Sequence, residues 1–342
     1  MKKYIDNKIV VLFAALLVLV ILFAVNVFFG SVDIPCTDVF SILCGGEPER
    51  EVWRLIVVET RLPQAVTALL AGAAISVAGL MLQTLFGNAL AGPEVLGINS
   101  GAGLGVAVVM LLSQSLFVAG EMGLAGYATI LFGAFFGAAV IITVVLFLSS
   151  ILKNKLFLLV AGVAVSYLAS SAISILNYFS TSEGVHSYMI WGMGSFSSVS
   201  MQQLPLFASI VIGLLFLSLT MIKPLNALLL GDIYARNLGI NVKNVRLFLL
   251  VITGMLTAVV TAFCGPVAFI GLAVPHIARL FLGSNNHRVL LPGTIITGAA
   301  IALLCNIICQ MPGESGLLPL GAITPLIGAP VIIYVLLRHK GL

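Results

Sequence analysis

Few residues in this chain are of a type to do chemistry, and most of those fail on spacing. Of the five cysteines, Cys36 and Cys44 share one hydrophilic stretch and would pair if that stretch met an oxidising space. Cys305 and Cys309 stand one helical turn apart, and Cys264 adjoins Gly265-Pro266. A metal site would need His or carboxylate partners close by, and the sequence offers none, so these three read as small apolar packing residues. No GxxxxGK[ST], HExxH, CxxC or GxSxG pattern occurs, which excludes nucleotide binding by a P-loop and gives no sign of hydrolytic catalysis. The 12 Asp and Glu lie in loops or at the ends of apolar runs. Ion-driven carriers keep ionisable groups at mid-membrane, so a self-sufficient secondary transporter is disfavoured. Glu94 and His276 come nearest to that depth, and both read as helix-end residues rather than members of a proton relay.

One polar segment stands apart. Gly231-Asp232-Ile233-Tyr234-Ala235-Arg236-Asn237-Leu238-Gly239 reads as a two-turn helix between glycines, inside the basic loop 223–246. Asp232 suits the helix N-terminus. Ile233, Ala235 and Leu238 would form an apolar side, and Arg236 a charged anchor. The segment either lies on the inner leaflet or docks on a protein. Two turns with one basic side chain hold a membrane weakly, so docking is favoured.

The elements that carry these residues are membrane helices. Hydrophobic residues make up 61% of the 342, charged residues only 8%, and mean hydropathy is +1.20. A soluble domain carries about 25% charged residues. Apolar runs near 9–29, 62–83, 94–113, 122–149, 156–178, 203–222, 246–264, 267–283, 290–310 and 322–337 predict about ten transmembrane helices in a compact all-α bundle. The first run is too long for a signal peptide and no small-residue cleavage site follows it. With both termini cytoplasmic, all of the 16 Lys and Arg except Arg50, Arg54 and Arg61 fall on the inner side, as the positive-inside rule asks. The outer loop 30–60 is acidic and reads as a mostly solvated cap, with a short amphipathic helix over 51–58. Gly97, Gly101 and Gly105, with Gly133 and Gly137, predict close helix packing. Residues 180–200 predict a short external helix followed by a glycine-broken stretch, with Tyr188 and Trp191 as interfacial anchors or pathway residues. Prolines near 266, 275, 319, 325 and 330 mark broken helices of the kind that line transport paths. A weak echo between residues 91–97 (AGPEVLG) and 264–271 (CGPVAFIG) hints at an internal duplication but does not establish one.

From about Arg61 to the C-terminus the sequence resembles the iron-siderophore, haem and cobalamin permeases, the membrane subunits of type II ABC importers. The resemblance rests on RLPQAVTALLAGAAISVAGLMLQTLFGNALAGPEVLGINSGAGLG (61–105), GDIYARNLGINV (231–242), GPVAFIGLAVPHIARLFLG (265–283), HRVLLPG (287–293) and LPLGAITPLIGAPVIIYVLL (318–337). It implies one permease domain over 1–342, moving a ferric siderophore or related iron chelate, with cobalamin or haem as the alternative cargo. It implies that Gly231, Asp232, Ala235, Arg236, Leu238 and Gly239 couple to an ABC ATPase subunit, and that Asn88 and Leu90 narrow the cytoplasmic gate. Arg61 matches the first arginine of an outer motif that docks a periplasmic or lipoprotein substrate-binding protein. Gln64 replaces the second arginine, and Gln310 stands where cobalamin permeases carry a further one. Docking would then rest on Arg61, helped by Arg50 or Arg54. A second permease subunit, an identical copy, would complete the pore. ATP and Mg2+ belong to the ATPase, and neither a cofactor nor nucleic acid is expected on this chain.

Overall fold

In lipid every backbone N–H and C=O needs an internal partner, so an apolar chain of this kind closes its hydrogen bonds within helices. The computed structural model describes residues 2–112, 124–152, 154–311 and 316–339, and among these there is no strand. The α-helices are α1 (Lys2–Phe28), α2 (Cys36–Leu43), α3 (Glu51–Leu55), α4 (Leu62–Phe86), α5 (Ile98–Leu112), α6 (Leu124–Ile151), α7 (Lys155–Phe179), α8 (Ser182–Gly192), α9 (Leu204–Thr220), α10 (Ile222–Leu228), α11 (Asp232–Asn237), α12 (Val242–Cys264), α13 (Ile270–Leu282), α14 (His287–Gln310) and α15 (Leu320–His339).

Six helical runs are long and apolar enough to cross a membrane, and α9 with α10 forms a seventh, bent by 52°. The third, eighth and tenth apolar stretches of the sequence become the shorter α5, α13 and α15. The first two are short for a local reason. A 3-10 turn over Pro93–Leu96 and left-handed Gly97 precede α5, while Gly265 and left-handed Phe269 break the chain before α13.

The bundle is built around α4, which is buried along nearly its whole length. Its alanines and glycines let neighbours approach to backbone contact. A Cβ on Gly72 would strike Gly298 O of α14, and one on Gly79 would strike Gly271 O of α13. The predicted glycine packing is present between α5 and α6, where Gly101 abuts Gly137 and Gly105 abuts Gly133. Gly97 does not join that seam; it ends the 3-10 turn and lies against Gly162 and Ser166 of α7. By contrast α1 is peripheral, with Val10, Phe13, Leu17 and Val20 exposed.

The outer loop is more ordered than a solvated cap. Helix α2 buries Val39 and Ile42, and α3 continues through a π-helical turn (Ile56–Arg61) directly into α4. The expected helix over 51–58 is thus the continuation of a span. Residues 180–200 follow the expectation: α8, then left-handed Gly194, then a short 3-10 turn over Phe196–Ser198. Tyr188 and Trp191 are half-buried and stacked at 6.0 Å, with the Tyr188 hydroxyl over Gly103 of α5.

The two segments that echo each other in sequence meet in space. Pro93 packs on Gly271, and the Glu94 carboxylate accepts the Phe269 N–H at 2.6 Å. Phe269 is the one described non-glycine residue with positive φ, at 65°. Such a conformation persists only where surroundings over-determine it. Glu94 therefore acts as a backbone pin.

Candidate coupling site, gate and outer surface

The polar loop folds as its sequence suggests. Gly231 (φ 99°) and Gly239 (φ 81°) take up backbone angles that a side chain would oppose, and they enclose α11. Asp232 pairs with Arg246 at 3.6 Å and ties α11 to the start of α12. The helix turns a different face outward from the one expected. Ala235 is fully buried against its own subunit, while Ile233 (75% exposed), Tyr234 (65%) and Leu238 (64%) project together with Arg236. The expected apolar side grouped Ala235 with Ile233 and Leu238; in the folded helix Tyr234, not Ala235, is exposed alongside Ile233 and Leu238. A cleft of about 420 Å3, lined by Ser149, Ser150, Arg236, Lys243 and Arg246 together with Leu146 and Leu247, flanks the helix.

The loop after α4 carries Asn88 and Leu90, and it is anchored rather than loose. Asn88 Oδ1 accepts the Leu90 N–H at 2.9 Å, which folds the loop on itself and leaves the Leu90 side chain 43% exposed. His276 Nε2 lies 2.9 Å from Ala89 O. Arg279 Nη1 donates to Gln83 Oε1 at 2.6 Å, and Gln83 Nε2 donates to Leu272 O at 3.1 Å. Helix α13 is thus the frame on which this loop hangs. A cavity of about 470 Å3 opens between them, lined by Gln83, Asn88, His276, Arg279 and by Leu228 and Leu229 at the end of α10. His276, read from sequence as a helix-end residue, serves as a loop anchor.

Arg61 departs most from expectation. It is only 4% exposed, and its guanidinium donates to Phe28 O (2.8 Å), Val27 O (3.3 Å) and Val32 O. It clasps the end of α1 to the outer loop, and in this conformation it offers no charge to an external protein. Gln64 is buried too. Its Nε2 donates to Asn306 Oδ1 (2.9 Å), and Asn306 Nδ2 donates to Asn26 Oδ1 (2.7 Å), so α4, α14 and α1 are joined by one buried amide chain. Asn26 closes the chain by donating to Leu303 O and Leu22 O. Gln310 ends α14, half-buried. The arginines left on this surface are Arg50, 5.3 Å above the Trp53 ring, and the exposed Arg54, among the carboxylates of the loop.

A model of the FecCD transport family matches residues 17–338. The chain belongs to that family. It is 37% identical to the vitamin B12 import system permease protein BtuC of Klebsiella pneumoniae over 321 residues, 92% of this chain and 94% of the relative. It is likewise 37% identical to that of Escherichia coli over 84% of this chain and 85% of the relative, and 38% identical to that of Salmonella paratyphi A over 83% and 84%. Among solved structures it is similar to a metal-chelate type ABC transporter in an inward-facing conformation, with a TM-score of 0.79 and 29% identity over 96% of this chain and 98% of that one. This FecCD chain is a multi-pass membrane protein and a transport subunit of an ABC importer, not an enzyme.

One face of this FecCD chain carries no residue that stands out singly in the sequence. Helix α7 is apolar enough to span, yet Tyr167, Ser170, Ser171, Ser174 and Tyr178 lie exposed along it at three- and four-residue spacing. Serines capped by their own helix, as Ser174 is by Ser170 O, are cheap in a membrane, so each one alone gave no signal. Their helical periodicity was the sign to read. The cysteines are as expected in one respect: Cys264, Cys305 and Cys309 are buried and free, and Cys36 and Cys44 are exposed and free. Among the described residues no three His, Cys, Asp or Glu converge as a metal site.

Proposed function

We propose that this chain is the permease of an ATP-driven cobalamin importer, working as one of two identical subunits around a shared path. The observation that carries this is the 37–38% identity, over 83–92% of this chain, to vitamin B12 permeases of three enteric bacteria. The resemblance implies a ferric chelate before cobalamin, and these relatives support cobalamin over a ferric siderophore. The inward-facing metal-chelate transporter, at 29% identity, supports a second reading in which the cargo is another large metal chelate.

In this reading Ile233, Tyr234, Arg236 and Leu238 seat in a cleft of the ATPase subunit. Exposed aromatic and aliphatic side chains rimmed by an arginine are what such an anchor requires. ATP binding on the ATPase biases a two-state bundle, and the loop 87–92 closes or opens the inner end. The hydroxyl-bearing face of α7 suits a wide, weakly interacting wall for a bulky solute. The substrate-binding protein would meet the outer surface through Arg50 and Arg54, because Arg61 is committed internally.

The test is uptake into proteoliposomes holding the permease, its ATPase and its binding protein. Labelled cobalamin is expected to accumulate with ATP and to be displaced poorly by ferric siderophores or haem. Accumulation of a ferric siderophore with no cobalamin uptake would return the first ranking.

A further inference from the structure

Between α11 and the loop 87–92 lies a polar contact that neither region contains. Helix α10 is separated from α11 by Leu229, Leu230 and Gly231, and its last turn hydrogen-bonds into that joint, Gly231 N donating to Leu228 O at 3.1 Å. On α10, Asn226 Oδ1 accepts the backbone N–H of His287 at 2.8 Å and lies 3.0 Å from His287 Nδ1. The other ring nitrogen, His287 Nε2, lies 2.9 Å from Thr84 Oγ1 on α4. His287 is fully buried. Because Asn226 Oδ1 can only accept, Nδ1 carries a proton toward it, while Nε2 faces Thr84 Oγ1, whose own hydroxyl donates to Leu80 O at 3.0 Å. Asn226 is itself fixed by donating from Nδ2 to Asn286 Oδ1 at 3.0 Å.

Thr84 is not an arbitrary end point. Its carbonyl accepts the N–H of Gly87 (3.3 Å), and the neighbouring Gln83 carbonyl accepts that of Asn88 (3.1 Å). Both of these residues open the loop. A continuous series therefore runs from α11 through Gly231, Leu228, Asn226, His287 and Thr84 to Gly87 and Asn88. Beside it, Leu228 and Leu229 share a cavity wall with Gly87, Asn88 and Ala89. A buried histidine is often no more than a satisfied core residue. Here, however, both ring nitrogens are spent on joining the helix next to α11 to the helix that ends in the loop.

We propose that His287 is a positioning residue that transmits displacement of α11 to the loop 87–92, with Asn226 as its input and Thr84 as its output. This rests on the reading of α11 as the ATPase contact and of 87–92 as the inner gate. An imidazole suits the task because it is rigid and holds its two partners at opposite edges of one ring, whereas a flexible side chain would absorb the motion.

The test uses the full complex with ATPase and binding protein in proteoliposomes, with a Leu90→Cys reporter read by a thiol reagent against the unmodified parent. In otherwise wild-type permease, nucleotide is expected to change the labelling of position 90. With His287→Ala the complex should assemble and hydrolyse ATP within about twofold of wild type, while cargo moved per ATP falls about tenfold or more and labelling becomes independent of nucleotide. Asn226→Ala should do the same, and the double variant should be no worse than either single one, because both cut one series. Should His287→Ala fail to fold, Asn226→Ala, at a half-buried position, carries the test alone. A merely structural role would lower assembly, hydrolysis and uptake together. The proposal is overturned if the variants keep the wild-type ratio of cargo to ATP, or if labelling still follows nucleotide. If labelling ignores nucleotide even with the series intact, the gate assignment fails first and takes this inference with it.

Discussion

Helix α11 and Arg61 lie toward opposite ends of α4, and both drew attention for the same reason: polar residues in an apolar chain suggest an external partner. The structure separates them. Around α11 the internal bonds involve Asp232 and the two glycines, and Ile233, Tyr234, Arg236 and Leu238 are left outside. At Arg61 three backbone carbonyls of the same chain take up the guanidinium. A charge in a membrane protein points to a partner only where its hydrogen-bonding capacity is not already spent at home.

The sharpest way to break this contrast is Arg61→Glu. It would turn a carboxylate toward three carbonyls, and breaking a buried charged arrangement costs about 3–5 kcal/mol. Folded yield and thermal unfolding in detergent should fall steeply. If melting is unchanged and only binding-protein docking is lost, Arg61 is a surface residue after all. Next in size is Leu238→Asp, in which an exposed anchor is removed without a fold defect. Loss of a single hot spot costs about 2 kcal/mol or more, so capture of the ATPase should weaken about thirtyfold while melting stays put.

How much of this was legible follows from the range of each signal. Helix α11, the α5–α6 glycine seam and the break at Gly265 are local, carried by residue types that force one backbone geometry, whereas Gly97, expected in the seam, ends a turn instead. The Arg61 clasp and the Gln64–Asn306–Asn26 chain are not local. Their partners stand up to 280 residues apart, and nothing in the spacing of the three amides says that they meet. Backbone carbonyls, which satisfy Arg61, carry no sequence signature at all. Ala235 was misplaced on a smaller scale, because an apolar side was assigned before the helical phase was known.

The amide chain gives a smaller effect of the same kind. Gln64→Leu should cost roughly 1–2 kcal/mol by leaving Asn306 unsatisfied, and adding Asn306→Leu should cost less than the sum of the two singles. Thermal unfolding of the three variants reads this directly; strict additivity would mean that the residues are not one chain. Smallest is Arg54→Glu on the outer surface, where an exposed pair contributes up to about 1 kcal/mol and salt screens it. Uptake should drop a few-fold at low ionic strength and recover at high salt. A loss that salt does not relieve would point to a contact other than charge.

The coupling role of α11 turns on what this helix touches. A photo-activated cross-linker placed at Leu238, which is 64% exposed, reports this in the assembled complex without disturbing the core. A covalent adduct with the ATPase subunit is expected, with a yield that changes when nucleotide is bound. Adducts confined to phospholipid would show instead that this helix lies on the inner leaflet, and the coupling assignment would fall.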